Sequence, residues 1–222
     1  VLKINLLDMK NQEIAQNLLK KEAVKLSMDP PFQWASGIFS PIYCDNRLMV
    51  SYPEERKVIV ENFAKLIKEK GYEFDVLAAE GGAIPWASFI AYEMGVPMIY
   101  IRKEAKKHGR MNKIEGELKP GQKVLLIEDL VSTGGSAIRA AESVREGEGD
   151  VIGIVAIFTY ELAVAEKNLQ EANIEIPTLT DFTTLLEEAK KMDYIGEDMV
   201  AKIKLFAEDP KVWGDKMGFT AD

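Results

Sequence analysis

The chain has 222 residues, 47% of them apolar and 29% charged, and a net charge of −8. That balance suits a globular protein with a sizeable core and disfavours general affinity for nucleic acid or membrane surfaces. No apolar run approaches the ~20 residues that span a bilayer, no signal-peptide pattern opens the chain, and the single cysteine, Cys44, excludes an internal disulfide and fits a reducing cytoplasm.

In chain order, Ile14, Leu18, Leu19 and Leu26 stand near helical spacing and predict an amphipathic helix over 10–27, stopped by Met28-Asp29-Pro30-Pro31. Residues 32–47 lack a clean period. Phe32, Trp34, Phe39 and Tyr43 alternate there with Ser-Gly and Ser-Pro pairs, which suggests two short strands and a turn forming a hood. Its aromatics suit either a surface on which a flat base stacks or a small hydrophobic cluster. Pro53 and two acids open a helix over 53–70. An apolar strand at 74–79 runs into Glu80-Gly81-Gly82 and a helix through Met94, and 96–101 forms the next strand.

The stretch 102–116 is polar, aperiodic and long for a connector. Between Arg102 and Lys113 it carries six basic residues against one acidic, in an otherwise acidic chain, and it holds the only histidine, His108. A reversal of that size reads as an anion-binding loop. Strands follow at 122–127, 151–158 and 174–179. Helices are expected at 136–147, from Thr159-Tyr160-Glu161-Leu162 to about 171, from a Thr180-Asp181 cap through Lys191, and at 196–207. Trp213 and Phe219 anchor the tail. Near-continuous apolar strands alternating with helices predict a mostly parallel twisted sheet covered on both faces. In such sheets ligands bind at the carboxyl ends of the strands, so the loops after 79, 101 and 127 should meet at one edge.

The third of these loops is the most informative. Val124–Ile127 runs into the acid pair Glu128 and Asp129, then Leu130 and Val131, then Ser132, Thr133, Gly134, Gly135 and Ser136 before a helix. Loop amides and a helix N-terminus form an anion site. No lysine follows the glycines, so this is not a Walker loop, and the acids precede rather than follow them, so it is not a dinucleotide fingerprint. Two acids suit a sugar diol or a magnesium shell and the loop suits a monophosphate, a combination that points to ribose 5-phosphate.

The segment resembles the 5-phosphoribosyl 1-pyrophosphate (PRPP) motif of type I phosphoribosyltransferases. Phe32-x-x-x-Ser36-Gly37-x-x-Ser40-Pro41-x-Tyr43-x-Asp45-x-Arg47 is similar to the N-terminal signature of orotate phosphoribosyltransferases, and Arg-Lys-Glu-x-Lys-x-His-Gly at 102–109 resembles their mobile catalytic loop. The resemblance implies a type I fold with a small N-terminal hood, in a single domain: helix and hood to about 50, core to about 190, helical tail to 222. It implies transfer of the phosphoribosyl group of PRPP to orotate, giving orotidine 5′-monophosphate and pyrophosphate, with Mg²⁺ as cofactor. Residues 128–136 would bind PRPP, with Glu128 and Asp129 on the ribose, Asp129 also serving the metal indirectly. Arg102, Lys103, Lys106 and His108 would meet the pyrophosphate, with Arg102, Lys106 and His108 catalytic. Ser132 and Tyr43 would contact orotate. A cytoplasmic homodimer sharing the 102–113 loop across its interface is expected. Ala35, Ile38 and Tyr160 stand where many such enzymes carry Lys, Arg and Arg. A purine-type transferase or a non-catalytic PRPP-sensing regulator of the same fold are the alternatives.

Overall fold

The computed structural model describes residues 6–34, 37–103 and 113–219. In chain order the elements are α1 (Leu6–Lys20), β1 (Val24–Leu26), β2 (Phe32–Gln33), β3 (Phe39–Ser40), β4 (Ile42–Cys44), a 3-10 helix (Asn46–Ser51), α2 (Pro53–Glu69), β5 (Val76–Glu80), a 3-10 turn (Gly81–Ala83), α3 (Ile84–Met94), β6 (Met98–Ile101), β7 (Ile114–Glu115), β8 (Lys123–Val131), α4 (Gly135–Glu146), β9 (Asp150–Thr159), α5 (Ala163–Glu171), β10 (Thr178–Asp181), α6 (Phe182–Lys191), α7 (Glu197–Glu208) and α8 (Pro210–Lys216).

The central sheet has six strands in the order β10-β9-β8-β5-β6-β7, parallel except for the edge strand β7. Side chains alternate across it, as the period of two requires. Leu77, Ala79, Leu125 and Ile127 enter one core with α1, α2, α3 and α6, whereas Val76, Ala78, Val124 and Leu126 enter a second core with α4. Buried on both faces, the paired stretches 76–79 and 124–127 are wholly apolar, and the mostly parallel sheet expected from the sequence is present. The strand order reverses between β5 and β8, which opens a crevice at their carboxyl ends.

Four boundaries differ from the sequence reading. The first helix ends at Lys20, where Glu22 takes a left-handed φ of 54°, and Val24–Leu26 pairs antiparallel with Ile42–Cys44. Leu26 therefore belongs to a strand. β8 continues past Ile127 to Val131, because the long neighbour β9 supplies partners as far as Thr159. Glu128 and Asp129 thus lie inside a strand. Residues 160–162 form an irregular link before α5, with Glu161 in the left-handed region at φ 54° and Leu162 extended. Pairing of β10 starts only after Pro177, which has no N–H to give to the ladder, although its carbonyl accepts from Ala156.

The hood consists of two small antiparallel pairs, β1 with β4 and β2 with β3. Pairs of strands only two or three residues long do not hold themselves. An aromatic cluster beneath them does: Trp34 lies edge-on to Phe206 at 5.4 Å, Phe206 to Trp213 at 5.8 Å, and Phe219 sits 5.8 Å from Trp213 and 5.9 Å from Phe39. Trp213 is fully buried and its indole N–H donates to the Lys202 carbonyl at 2.9 Å. The C-terminal helices are the floor of the hood. Trp213→Ala should cost about 3–5 kcal/mol of stability. Urea denaturation measures that loss, and a change below 1 kcal/mol would remove the tail from the core.

Candidate active site

At the switch point, β8 keeps its bonds to β9 but loses β5. The β5–β8 register ends at Ala79 opposite Ile127, and β5 then turns away through Gly81, whose φ is 58°. From Glu128 onward one edge of β8 is open. Glu128 follows Leu126 toward α4, and Asp129 follows Ile127 toward the turn after β5. A Cβ on Gly82 would stand 2.5 Å from the Asp129 carboxylate, so only glycine lets that carboxylate lie there.

A cleft of about 490 Å³ opens on this edge, lined by Glu80, Gly81 and Gly82 from the first turn, Glu128, Asp129, Leu130, Ser136 and Arg139 from the β8–α4 unit, Cys44 to Arg47 from the hood, and Lys103. Its chemistry is mixed. Arg47 is clamped by Asp45 through bonds of 2.6 and 2.8 Å, which hold the Asp45 carboxyl below the usual range. Lys103 and Arg139 supply further cationic heads. Gly134, in the left-handed conformation at φ 78°, caps α4 and turns the 132–134 loop onto its N-terminus. Asn168 of α5 steadies the loop by donating to the Thr133 carbonyl at 2.9 Å.

The two acids are not equivalent. Glu128 is buried, with one oxygen accepting from the Ser136 hydroxyl and the other from the Asp129 N–H, both at 3.0 Å. Burial, then the hydrogen bond and charge of Asp129, push its pKa up to about 8, against partial relief from Ser136. Asp129 is the acid more open to a ligand.

A second cavity of about 360 Å³ adjoins the first, lined by Gln33, Trp34, Tyr43, Cys44, Leu130, Ser132 and Tyr160. Cys44 and Leu130 belong to both cavities. The Tyr160 ring lies 5.2 Å from Trp34 and edge-on to Phe158 at 5.3 Å. Burial raises its hydroxyl well above the ordinary phenol value. The walls are aromatic and flat, with neutral polar groups at the rim.

Of the residues singled out in the sequence, Lys103, Glu128, Asp129, Leu130 and Ser136 line the cleft, and Tyr43 and Ser132 line the second cavity with Leu130. Val131 is in the core and its carbonyl accepts from the Tyr160 N–H. Thr133, Gly134 and Gly135 form the loop and helix start. Arg102 pairs with Glu115 at 3.3 Å, and its N–H donates to the Lys113 carbonyl, so the 102–113 segment leaves and returns at adjacent points on the sheet edge. Lys106 and His108, like Ala35, lie outside the described residues. Arg139 and Asn46 were not singled out as site residues. Arg139 sits one helical turn after Ser136, a spacing that puts both on one face; Asn46 carries no local signal.

Among the described residues no group of three or more His, Cys, Asp or Glu side chains is arranged to hold a metal, and no helix is long and apolar enough to cross a membrane.

The family model described as "Phosphoribosyl transferase domain" matches residues 51–180. The orotate phosphoribosyltransferase of Listeria innocua is 45% identical over 91% of this chain and 98% of its own length. That of Enterococcus faecalis is 47% identical over 91% and 97%. Among solved structures, the UMP synthase of Leishmania donovani superposes with a TM-score of 0.77 at 33% identity, over 89% of this chain and 42% of that larger one.

The Glu128 proton gives stability a pH signature. With the folded pKa raised from 4.5 to about 8, the native state holds a proton that the unfolded chain releases. The resulting stabilisation is complete below the lower value and is lost as pH rises through the upper one. Glu128→Gln removes it. Wild type should therefore lose stability relative to the variant between about pH 5 and about pH 8.5. Parallel denaturation curves for the two proteins at both pH values would refute the assignment.

Proposed function

The chain belongs to the phosphoribosyltransferase family and, within it, to the orotate phosphoribosyltransferases, and from that premise we propose how its two cavities divide the work. The enzyme transfers the 5-phosphoribosyl group of PRPP to orotate. The bond from C1 to the pyrophosphate oxygen breaks, a bond from C1 to orotate N1 forms, and the N1 proton is released, giving orotidine 5′-monophosphate and pyrophosphate. Positive charge develops on the sugar and negative charge on the leaving group. The protein must therefore align the two, neutralise the leaving group and keep water out.

The observation that carries the assignment is the adjacency of a charged cleft and an aromatic pocket across the shared wall of Cys44 and Leu130. In our reading the 132–136 loop and the α4 N-terminus receive the 5-phosphate on backbone amides. Asp129 accepts from the ribose hydroxyls. Glu128, its oxygens already engaged, holds Ser136 and the Asp129 N–H in place. Lys103, with Arg47 and Arg139 on the same cleft, faces the pyrophosphate. Lys106, His108 and Arg102 complete this cationic set, with Lys106 and His108 meeting the departing oxygen. Orotate lies in the second cavity against Trp34, Tyr43 and Tyr160, with Ser132 at its edge.

Magnesium fits this cleft as an ion held mainly by water and substrate oxygens, because Glu80, Glu128 and Asp129 line it without a dedicated ligand cage. When bound, the ion would neutralise pyrophosphate charge, with Asp129 and Glu80 holding its water shell. We place the enzyme in the cytoplasm, in keeping with its single, buried, free cysteine.

Orotate absorbance should fall on adding PRPP and magnesium, stop with a chelator and resume when magnesium is restored. Lys106→Ala should lower kcat by about 10²–10³-fold, the usual cost of removing one group that stabilises developing charge. Consumption of hypoxanthine or adenine with orotate untouched would overturn the base assignment.

We also propose a homodimer in which the 102–113 segment serves the neighbouring site. Exposed Tyr92 on α3 and Tyr100 on β6 are apolar surface that such a contact would cover. Mixing inactive Lys106→Ala and Asp129→Asn proteins should then restore about a quarter of wild-type activity, since half of random dimers carry one intact site. No recovery after subunit exchange would place the segment over its own site.

A further inference from the structure

The two cavities are joined by more than a common wall. On the base side, the Tyr160 hydroxyl accepts from the Cys44 backbone N–H at 3.0 Å. The Cys44 thiol donates to the Asn46 side-chain carbonyl at 3.3 Å. The Asn46 amide nitrogen donates to the Asp129 backbone carbonyl at 2.6 Å. Asp129 then donates its own N–H to Glu128, which accepts from Ser136 at the start of α4. Tyr160, Cys44 and Asn46 are 3%, 7% and 1% exposed, and the first two bonds of the chain are buried away from water. The chain begins in the base pocket and ends on the phosphate loop.

We propose that Asn46, together with Cys44, is a positioning relay that couples the phosphoribosyl cleft to the base pocket, so that filling either one tightens the other. The inference rests on the reading above, which places ribose phosphate in the first cavity and orotate in the second. The chemistry at position 46 is specific. Asparagine accepts from the thiol and donates to the carbonyl in the same conformation; aspartate lacks the donor and leucine lacks both groups. Burial and the nearby Asp129 charge raise the Cys44 thiol well above its ordinary value, which keeps it a donor. A sugar held by Asp129 fixes that peptide unit, and through Asn46 it fixes β4 and the Tyr160 wall. The base then orders fewer groups on binding, and the linkage is reciprocal.

Calorimetry with two ligands that cannot react together, orotate and ribose 5-phosphate, reads the coupling directly. Wild type should bind orotate about tenfold more tightly when saturated with ribose 5-phosphate, within the usual range for coupled sites. In Asn46→Ala the factor should fall to about one. Cys44→Ala should also lose it, and Cys44→Ser, which keeps a donor, should restore it. If Asn46→Ala does not fold, the Cys44 pair carries the test. A wild-type factor of one overturns the relay. So does a factor undiminished in the variants, including the case where both single affinities weaken together, which marks a purely structural role. Wild-type protein that binds neither ligand overturns the functional reading itself, whereas independent binding of both overturns only the relay.

Discussion

The site depends on one mismatch of strand lengths. β9 pairs with β8 as far as Val131, but β5 leaves at Ile127. Four residues of β8 are thus held rigidly from one side and open on the other. Strand alternation then aims Glu128 at α4 and Asp129 at the turn after β5, where Gly82 leaves room for the carboxylate. A loop carrying the same residues would hold them less well, because its backbone would have no ladder to fix it. Lengthening β5 by one turn-free residue pair would close the edge and remove the cleft without touching any site residue.

Much of this was legible in the sequence because it is local. An apolar run, two acids and a small-residue turn lie consecutively, so strand, loop and helix could be placed from residues 124–147 alone, and the cleft indeed forms around them. What escaped depends on distant partners. Leu26 fits a helical period as well as a strand period, and only Ile42, opposite it, decides between them. The strand character of Glu128 and Asp129 comes from β9, not from their own propensity. Asn46 is one polar residue after a short strand; its meaning lies in the Asp129 carbonyl, 83 residues on. Tyr160 looked like a departure from a familiar pattern, whereas in the structure it is a wall of the aromatic cavity and a partner of the hood.

The hood shows how a weak element is made firm. Its strands are too short to hold themselves. The C-terminal helices supply what is missing through Phe206 and Trp213, and Phe219 follows them, with Gly214 close against Phe39. A wall of the second cavity is therefore backed partly by residues at the far end of the chain. Fixing Trp34 from behind by Phe206 and from the side by Tyr160 leaves one side of the indole for the cavity.

The electrostatics of the cleft follow from the same geometry. Two ionised carboxylates on adjacent residues would repel one another and also repel an anionic substrate. Burial eases this by raising the Glu128 pKa, which favours its neutral form, while Asp129 is the less buried carboxylate of the pair. Arg47 is likewise half-neutralised by Asp45 and fixed in direction by two bonds. The chain as a whole is acidic, yet Arg47, Lys103 and Arg139 gather on this cleft. Repulsion by the rest of the surface is screened within about 8–10 Å at physiological salt, whereas the field inside the cleft is screened much less. A polyanion therefore meets the cationic groups of the cleft only after entering it.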